Sequence, residues 1–334
     1  VSVIDDVRMD SIGSGSAQFD FSRDGLLLYE APYPKPRERS LAWIDLQGNA
    51  RPAAAERRGY QEPRMSPDGR LVVVPIEGPT TSDLWQYDIS REAWRRLTSE
   101  KDNLEPLFSP DGRHIAFASN REGPYNLYRM AVDGTAVERL ATSDHWQWPA
   151  SWSPDGRTLI FMEPDPETNW DIWALPLDGE RKPKRIIATR FDEGGAALSP
   201  DGRWLAYTSN ESGRNEVYAR PWPGPDRKWL VSTGGGFHPV WARNGRSLFY
   251  STGERLMEVK VTAEAQFRAG QPRLRFAARF ADAGTIFAPP YDIAPDGQRF
   301  VASLEGEATK ERVDIVAVPD WFEELKARVP APSR

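Results

Sequence analysis

The 334-residue sequence contains no cysteine. Disulfides, thiol nucleophiles, cysteine-ligated zinc and iron–sulfur clusters are therefore excluded. The compartment stays open between cytoplasmic and extracytoplasmic, because a large core does without cross-links in an oxidising space as well. No run approaches the roughly 18 apolar residues of a membrane helix, so no span is expected in this chain. Charge of one sign is also scarce: 43 Lys and Arg against 49 Asp and Glu leave a formal −6. That balance argues against nucleic acid as a partner and against a highly charged disordered chain. The chain opens at Val1 rather than Met, with no basic segment or apolar signal region, so either a removed targeting segment or a piece of a longer protein is expected. Turn formers and aromatics are plentiful instead, with 26 Gly, 29 Pro and 13 Trp.

Much of the Gly and Pro belongs to one recurring phrase. Ser-Pro-Asp-Gly and its variants occur seven times, with the turn Asp or Asn at positions 24, 68, 111, 155, 201, 244 and 296. Successive copies stand 44, 43, 44, 46, 43 and 52 residues apart, a single period of about 44. Asp-Gly between two β-rich runs supplies the positive φ of a tight hairpin turn, and Pro pre-sets the residue before it. Apolar runs such as Ile115-Ala116-Phe117 follow the turns, then third runs such as Leu127-Tyr128-Arg129-Met130, then fourth runs such as Arg139-Leu140-Ala141-Thr142. Four short strands per period of this length is the pattern of a β-propeller blade, which buries its faces only by stacking on its neighbours. The expected fold is all-β: a seven-bladed propeller of four-stranded blades over residues 1–320, followed by a helix and tail over 321–334. In the last unit Asp314–Val318 reads as the third strand, and Val1–Ile4 is expected to supply the missing outer strand and close the ring. Trp43, Trp85, Trp173 and Trp222 in third strands, with Trp152 and Trp241 just before turns, read as blade-to-blade packing.

The turns followed by Ile-Ala-Phe-type strands resemble TolB-type β-propeller repeats rather than WD repeats, whose Gly-His and Trp-Asp pairs are missing. The run from Ala17-Gln18-Phe19 through Asn169-Trp170-Asp171-Ile172-Trp173, Trp204–Gly213 and Ser232–Gly236 to Trp321–Lys326 further resembles the C-terminal propeller of bacterial serine/threonine protein kinases of the TolB-like class. That resemblance implies a ligand- or protein-sensing region attached to a kinase or another signalling module. No kinase phosphate loop or His-Arg-Asp loop is present, so the catalytic half would lie outside this chain. Gly13-Ser14-Gly15-Ser16 lacks a following Lys and reads as a flexible turn.

Propeller function gathers at the channel mouth, where the approach to each innermost strand ends. About six residues before each turn Asp the register places Gln18, Glu62, Glu105, Trp148 (one residue farther), the Glu193-Gly194-Gly195 stretch, His238 and Pro290. His145, Trp146, Gln147 and Phe237 flank them, so two of the three histidines fall here. Glu62, Glu105, His145, Glu193 and His238 suit a divalent cation on the axis, with oxygen ligands favouring Ca²⁺ or Mn²⁺ and His tilting toward Mn²⁺ or Zn²⁺. Trp146, Trp148 and Phe237 suit an aromatic wall around a small molecule or peptide. Two carboxylates roughly 7 Å apart repel by about 2.4 kcal/mol at an effective dielectric near 20 but about 0.6 kcal/mol in water, so a wet channel tolerates them without a cation. The acidic stretch Glu163-Pro164-Asp165-Pro166-Glu167 reads as a solvated loop between strands, with a surface Ca²⁺ site as its functional alternative.

Two functions fit this set. One is a ligand- or protein-binding sensor propeller. The other is a metal-dependent hydrolase of an ester, lactone or phosphoester, with Glu105 or His238 as base. No Gly-x-Ser-x-Gly elbow supports nucleophilic serine catalysis.

Overall fold

Each Ser-Pro-Asp-Gly turn closes on its own side chains. In the copy at Asp111, Ser109 Oγ donates to Asp111 Oδ1 at 2.6 Å and accepts from His114 N at 3.0 Å. Gly112 N donates to Ser109 O at 2.9 Å, with Gly112 at φ +69°, a conformation glycine adopts without steric cost. The same Ser–Asp bond recurs at Ser66, Ser153 and Ser199. These hydroxyls hold the Asp68, Asp111 and Asp155 carboxyls below the usual carboxylate range. Ala242-Arg243-Asn244-Gly245 lacks the hydroxyl but keeps the Gly245 N to Ala242 O and Arg246 N to Asn244 Oδ1 bonds.

The computed structural model describes residues 19–30, 38–224, 227–263, 266–281, 286–306 and 315–328. The chain forms two compact units, one of residues 38–306 and one of 1–37 with 307–334, rather than the expected single body to residue 320. No helix among the described residues is long and apolar enough to cross a membrane.

The larger unit holds six antiparallel sheets, numbered here as blades one to six by their turns at Asp68, Asp111, Asp155, Asp201, Asn244 and Asp296. Blade two shows the plan, with Asn103–Phe108 innermost, then His114–Ser119, Asn126–Ala131 and Glu138–Arg139 outermost. The innermost strands elsewhere are Arg64–Met65, Trp148–Trp152, Glu193–Leu198, Phe237–Trp241 and Tyr291–Ile293. Blade five carries an extra strand, Phe267–Ala269, beside Arg273–Ala277. That strand and the loop after it account for the 52-residue step, which hides no further blade.

Six apolar clusters join these blades pairwise. Five lie between successive blades, as where Phe108 and Ile115 of blade two meet Val73 and Leu84 of blade one. The sixth sets Leu41, Trp43 and Val301 of blade six against Tyr60, Val72 and Val74 of blade one, so the ring closes on itself. Closure comes from Arg39–Asp45 and Ala50–Pro52, which form the third and fourth strands beside Tyr291–Ile293 and Arg299–Glu305. The expected third strand, around Ile315–Val318, pairs instead with Leu27–Glu30. Val1–Ile4, expected to close the ring, lies outside the described residues, as do Gly13–Ser16, Gln18 and Asp314.

The turns form a second ring. A β-carbon at Gly112 would stand 3.5 Å from Pro67, at Gly156 3.9 Å from Pro110, at Gly202 3.2 Å from Pro154 and at Gly245 4.0 Å from Pro200. At Gly69 it would stand 3.2 Å from Pro295, which joins blade six directly to blade one. The expectation of seven blades in the ring is thereby corrected to six. The turn at Asp24 belongs to the smaller unit, where Phe19–Phe21, Leu27–Glu30 and Ile315–Val318 make a three-stranded sheet. There the expected C-terminal helix, Trp321–Arg328, donates from Trp321 N to Gly25 O at 2.7 Å and lays Phe322 over Gly25.

The tryptophans expected to pack do so. Trp43, Trp152 and Trp241 are buried. Trp152 Nε1 donates to Leu107 O of blade two, and Trp241 Nε1 to Ala197 O of blade four, so each bonds the blade before its own.

Candidate binding channel

The innermost strands do not run straight. Their pairing slips between Leu104 and Leu107, Pro149 and Ser151, Gly194 and Ala197, and Phe237 and Val240. At three of these bulges the backbone turns left-handed, with φ +49° at Glu105, +56° at Gly195 and +56° at His238. Such bulges re-aim side chains, and here they fall about six residues before the turn, where the sequence register placed the channel mouth.

A cavity of about 390 Å³ runs between the innermost strands of all six blades. Its wall holds many proline, alanine and other apolar residues, interrupted by Arg64, Glu105, Ser151, Ser199, Arg243 and Asp292. Glu105 is only 7 % exposed, and its Oε2 has no hydrogen-bond partner. Burial and then the charge of Glu62 push its carboxyl well above the usual carboxylate range, against the pull of Arg64. Arg64 donates from Nη1 to the carbonyls of Pro63 at 2.8 Å and Pro289 at 2.7 Å. Burial lowers its guanidinium from the ordinary value, opposed by Asp292, Glu62 and Glu105. Asp292 accepts from Met65 N and from Ile293 N, both at 2.8 Å.

The expected site residues are not gathered as a metal would require. Among the described residues, no group of three or more His, Asp and Glu is placed to hold an ion. Glu193 is buried against Thr189 and Ser209, and burial pushes its carboxyl up to about 7 although those hydroxyls oppose it. His238 is fully enclosed, with Nδ1 3.1 Å from Ser251 Oγ and its carbonyl accepting from Tyr291. His145 is exposed, and its carbonyl accepts from Asn126. Gln147 is buried between Glu163 and Leu127 N. Glu163 to Asp165 end a strand, with Glu163 bonded to Ser143 and Gln147 and Asp165 to Arg185, so the acidic loop is part of a hairpin. Of the expected metal set, Glu62 acts on Glu105.

Trp146 and Trp148 do form an aromatic wall, but a segment of the chain fills it. Phe287 packs 5.9 Å from Trp148 and 4.9 Å from Trp170, while Tyr125 packs on both Trp146 and Trp148. Phe287 belongs to the stretch before blade six, so residues 286–289 cross to blades three and four. Gly194 and Gly195 admit them: a β-carbon would lie 2.7 Å and 3.1 Å from Ile286 O. Phe237 stands apart, beside His238.

Comparison with known proteins follows the ring. Residues 35–178 match the TolB β-propeller domain model. That segment, less than half of the chain, is similar to a TolB-type β-propeller domain. An uncharacterised protein of Agrobacterium fabrum is 32% identical over 156 residues, covering 42% of this chain and 52% of that protein. The Tol-Pal system protein TolB of Anaeromyxobacter dehalogenans is 33% identical over 97 residues, 29% of this chain and 22% of the relative. The chain thus spans about half or less of the length of the curated relatives it matches. In fold it is similar to the structure of a putative TolB from Agrobacterium tumefaciens, with a TM-score of 0.64 at 16% identity over 81% of this chain and 99% of that one. It is also similar to an oligogalacturonate lyase in complex with manganese, with a TM-score of 0.52 at 12% identity over 88% and 98%.

Within this propeller three channel charges escaped the sequence reading, Arg64, Asp292 and, in the turn at Asn244, Arg243. Arg64 and Asp292 each stand four residues before their turn Asp, where the other blades have Leu107, Ser151, Ala197 and Val240. A charge at a position otherwise small or apolar was the signal available.

Proposed function

We propose that the protein is a binding propeller that takes up a small molecule or a peptide segment in its central channel. The observation that supports this most is the roughly 390 Å³ cavity on the axis, apolar for most of its wall and charged at a few converging points. The fully enclosed His238–Ser251 pair does not line it. Attachment to a kinase or another bacterial signalling module is part of the same proposal and rests on the motif resemblance. Thermal-shift screening of a metabolite and peptide library should find ligands that stabilise the wild type but not Val240→Trp, which fills the channel. Stabilisers that act equally on both would refute the channel as the site.

The hydrolase alternative keeps one point of support, the similarity in fold to a lyase that holds manganese. Elemental analysis and an esterase, lactonase and phosphotriesterase screen with and without chelator separate the two. Chelator-sensitive turnover lost in Glu105→Gln would overturn the pure binding reading.

A further inference from the structure

The channel's chemistry narrows its ligand, and this inference rests on the binding reading. We propose that the channel recognises a protonated primary amine on an apolar stem, with the ammonium bonded to the Glu105 carboxylate. Three features bear on that group. Glu105 lines the cavity, is 7 % exposed, and leaves Oε2 without a partner. A buried polar oxygen in that state is costly to the fold, and a ligand N–H satisfies it. Neighbouring charge is mixed: Glu62, Glu105 and Asp292 each act on Arg64, Glu62 also acts on Glu105, and Arg243 lines the wall as a second guanidinium. Arg64 and Asp292 are already committed to backbone partners, Arg64 to the carbonyls of Pro63 and Pro289 and Asp292 to Met65 N and Ile293 N. Apart from Arg243, Ser151 and Ser199, the rest of the wall, including Leu107, Ala196, Val240 and Phe287, is apolar and suits an alkyl stem.

Proton balance follows from the burial of Glu105. Burial and then Glu62 push the Glu105 carboxyl well above the usual carboxylate range, while Arg64 opposes them and Tyr291 stays a neutral phenol. An ammonium favours the ionised carboxylate, so docking releases to solvent whatever proton the carboxyl carries, up to one per ligand bound. Affinity rises with pH, by up to about tenfold per unit, while the free carboxyl remains protonated.

Calorimetric titration at pH 6, 7 and 8 tests this with four probes: n-butylamine, n-butanol, and a blocked Gly-Gly-Lys-Gly-Gly peptide with its norleucine counterpart. The amine and the lysine peptide should bind, and their neutral partners should not. The relative strength of butylamine and the peptide says whether the amine comes from a small molecule or a side chain. Glu105→Gln, checked for an unchanged melt, should weaken binding at least tenfold and abolish the pH dependence. Equal binding by the neutral probes, equal binding by Glu105→Gln, or pH-independent affinity would overturn the proposal. So would CaCl₂ or MnCl₂ saturating the channel through Glu105 in preference to the amine. Should library ligands still distinguish wild type from Val240→Trp, the binding reading survives this failure. Should none do so, both fall.

Discussion

Replacing the turn glycines by alanine, one at a time, measures the ring directly. Gly69, Gly202 and Gly297 share φ of +74°, +68° and +68°, so each substitution meets the same left-handed strain of about 1–2 kcal/mol. Their surroundings differ. At Gly69 the new β-carbon stands 3.2 Å from Pro295 Cδ and 3.3 Å from Cγ, and at Gly202 3.2 Å from both of the same atoms of Pro154. Carbon pairs are most stable at about 3.5–4.0 Å, so both sites pay overpacking as well, about 1 kcal/mol at the low end of its range. At Gly297 nothing lies within 4 Å, and the preceding turn carries Arg243 instead of proline. Gly69→Ala and Gly202→Ala should therefore each cost about 2 kcal/mol and Gly297→Ala about 1 kcal/mol. Urea denaturation at constant slope reads the difference as a shift in midpoint. In a Pro295→Ala background, which removes Cγ and Cδ, the excess at Gly69 should vanish. Were a seventh blade set between blades six and one, its turn would offer Arg23 to Gly69 in place of Pro295. Equal costs at Gly69 and Gly297, or an excess that survives Pro295→Ala, would refute the six-blade ring.

Two other outcomes follow from the blades. Ala242→Ser restores the hydroxyl missing from the turn at Asn244 and should add about 1 kcal/mol to urea stability, the net worth of one hydrogen bond; no gain would show that the backbone alone holds these turns. Glu193, raised to about 7 by burial, favours the fold fully below its unfolded pKa of roughly 4.3 and loses that contribution as pH rises through about 7. Stability should fall by about 1–3 kcal/mol between pH 4.5 and 7.5 on this account, after allowance for screening, and Glu193→Gln should flatten that slope. An unchanged slope would remove Glu193 as its source.

The repeat was legible because its cause is local. Ser, Asp and Gly within four positions close a turn without help from the rest of the chain, so the period and the strands after each turn could be read directly. Ring closure was not legible, since Arg39–Asp45 becomes the third strand of blade six only by meeting Arg299–Glu305 from the far end of the chain. Nothing in the composition of Arg39–Asp45 distinguishes it from a strand that pairs nearby. The turn at Asp24 has the same local chemistry as the others, with Leu26 N donating to Ser22 Oγ, yet belongs to another unit. Of the site, Glu105 was found by register, but His238 shares its spacing and does not line the channel, and Glu193, two residues farther from its turn, is held by Thr189 and Ser209. A bulge aims one side chain at the axis and the next between blades, and a one-residue offset in a strand changes the face presented.

The charges that escaped notice tie the channel to the seam. Arg64 and Asp292 occupy the same register position in blades one and six, the two blades that meet where the ring closes. Asp292 accepts from Met65 N across that seam, and Arg64 donates across it to Pro289 O. Arg39 Nη1 and Ser303 Oγ both donate to Tyr60 O at the same junction. A carboxylate here locks the last blade to the first and also acts on Arg64, the guanidinium that acts in turn on Glu105. Asp292→Asn should consequently weaken closure and channel together: the amide keeps an acceptor for one backbone N–H but sets its donor group against the other. A neutral group also removes the opposing charge of buried Arg64. The repeat supplies the ring, and the two residues that depart from it supply both its fastening and the charge at its centre.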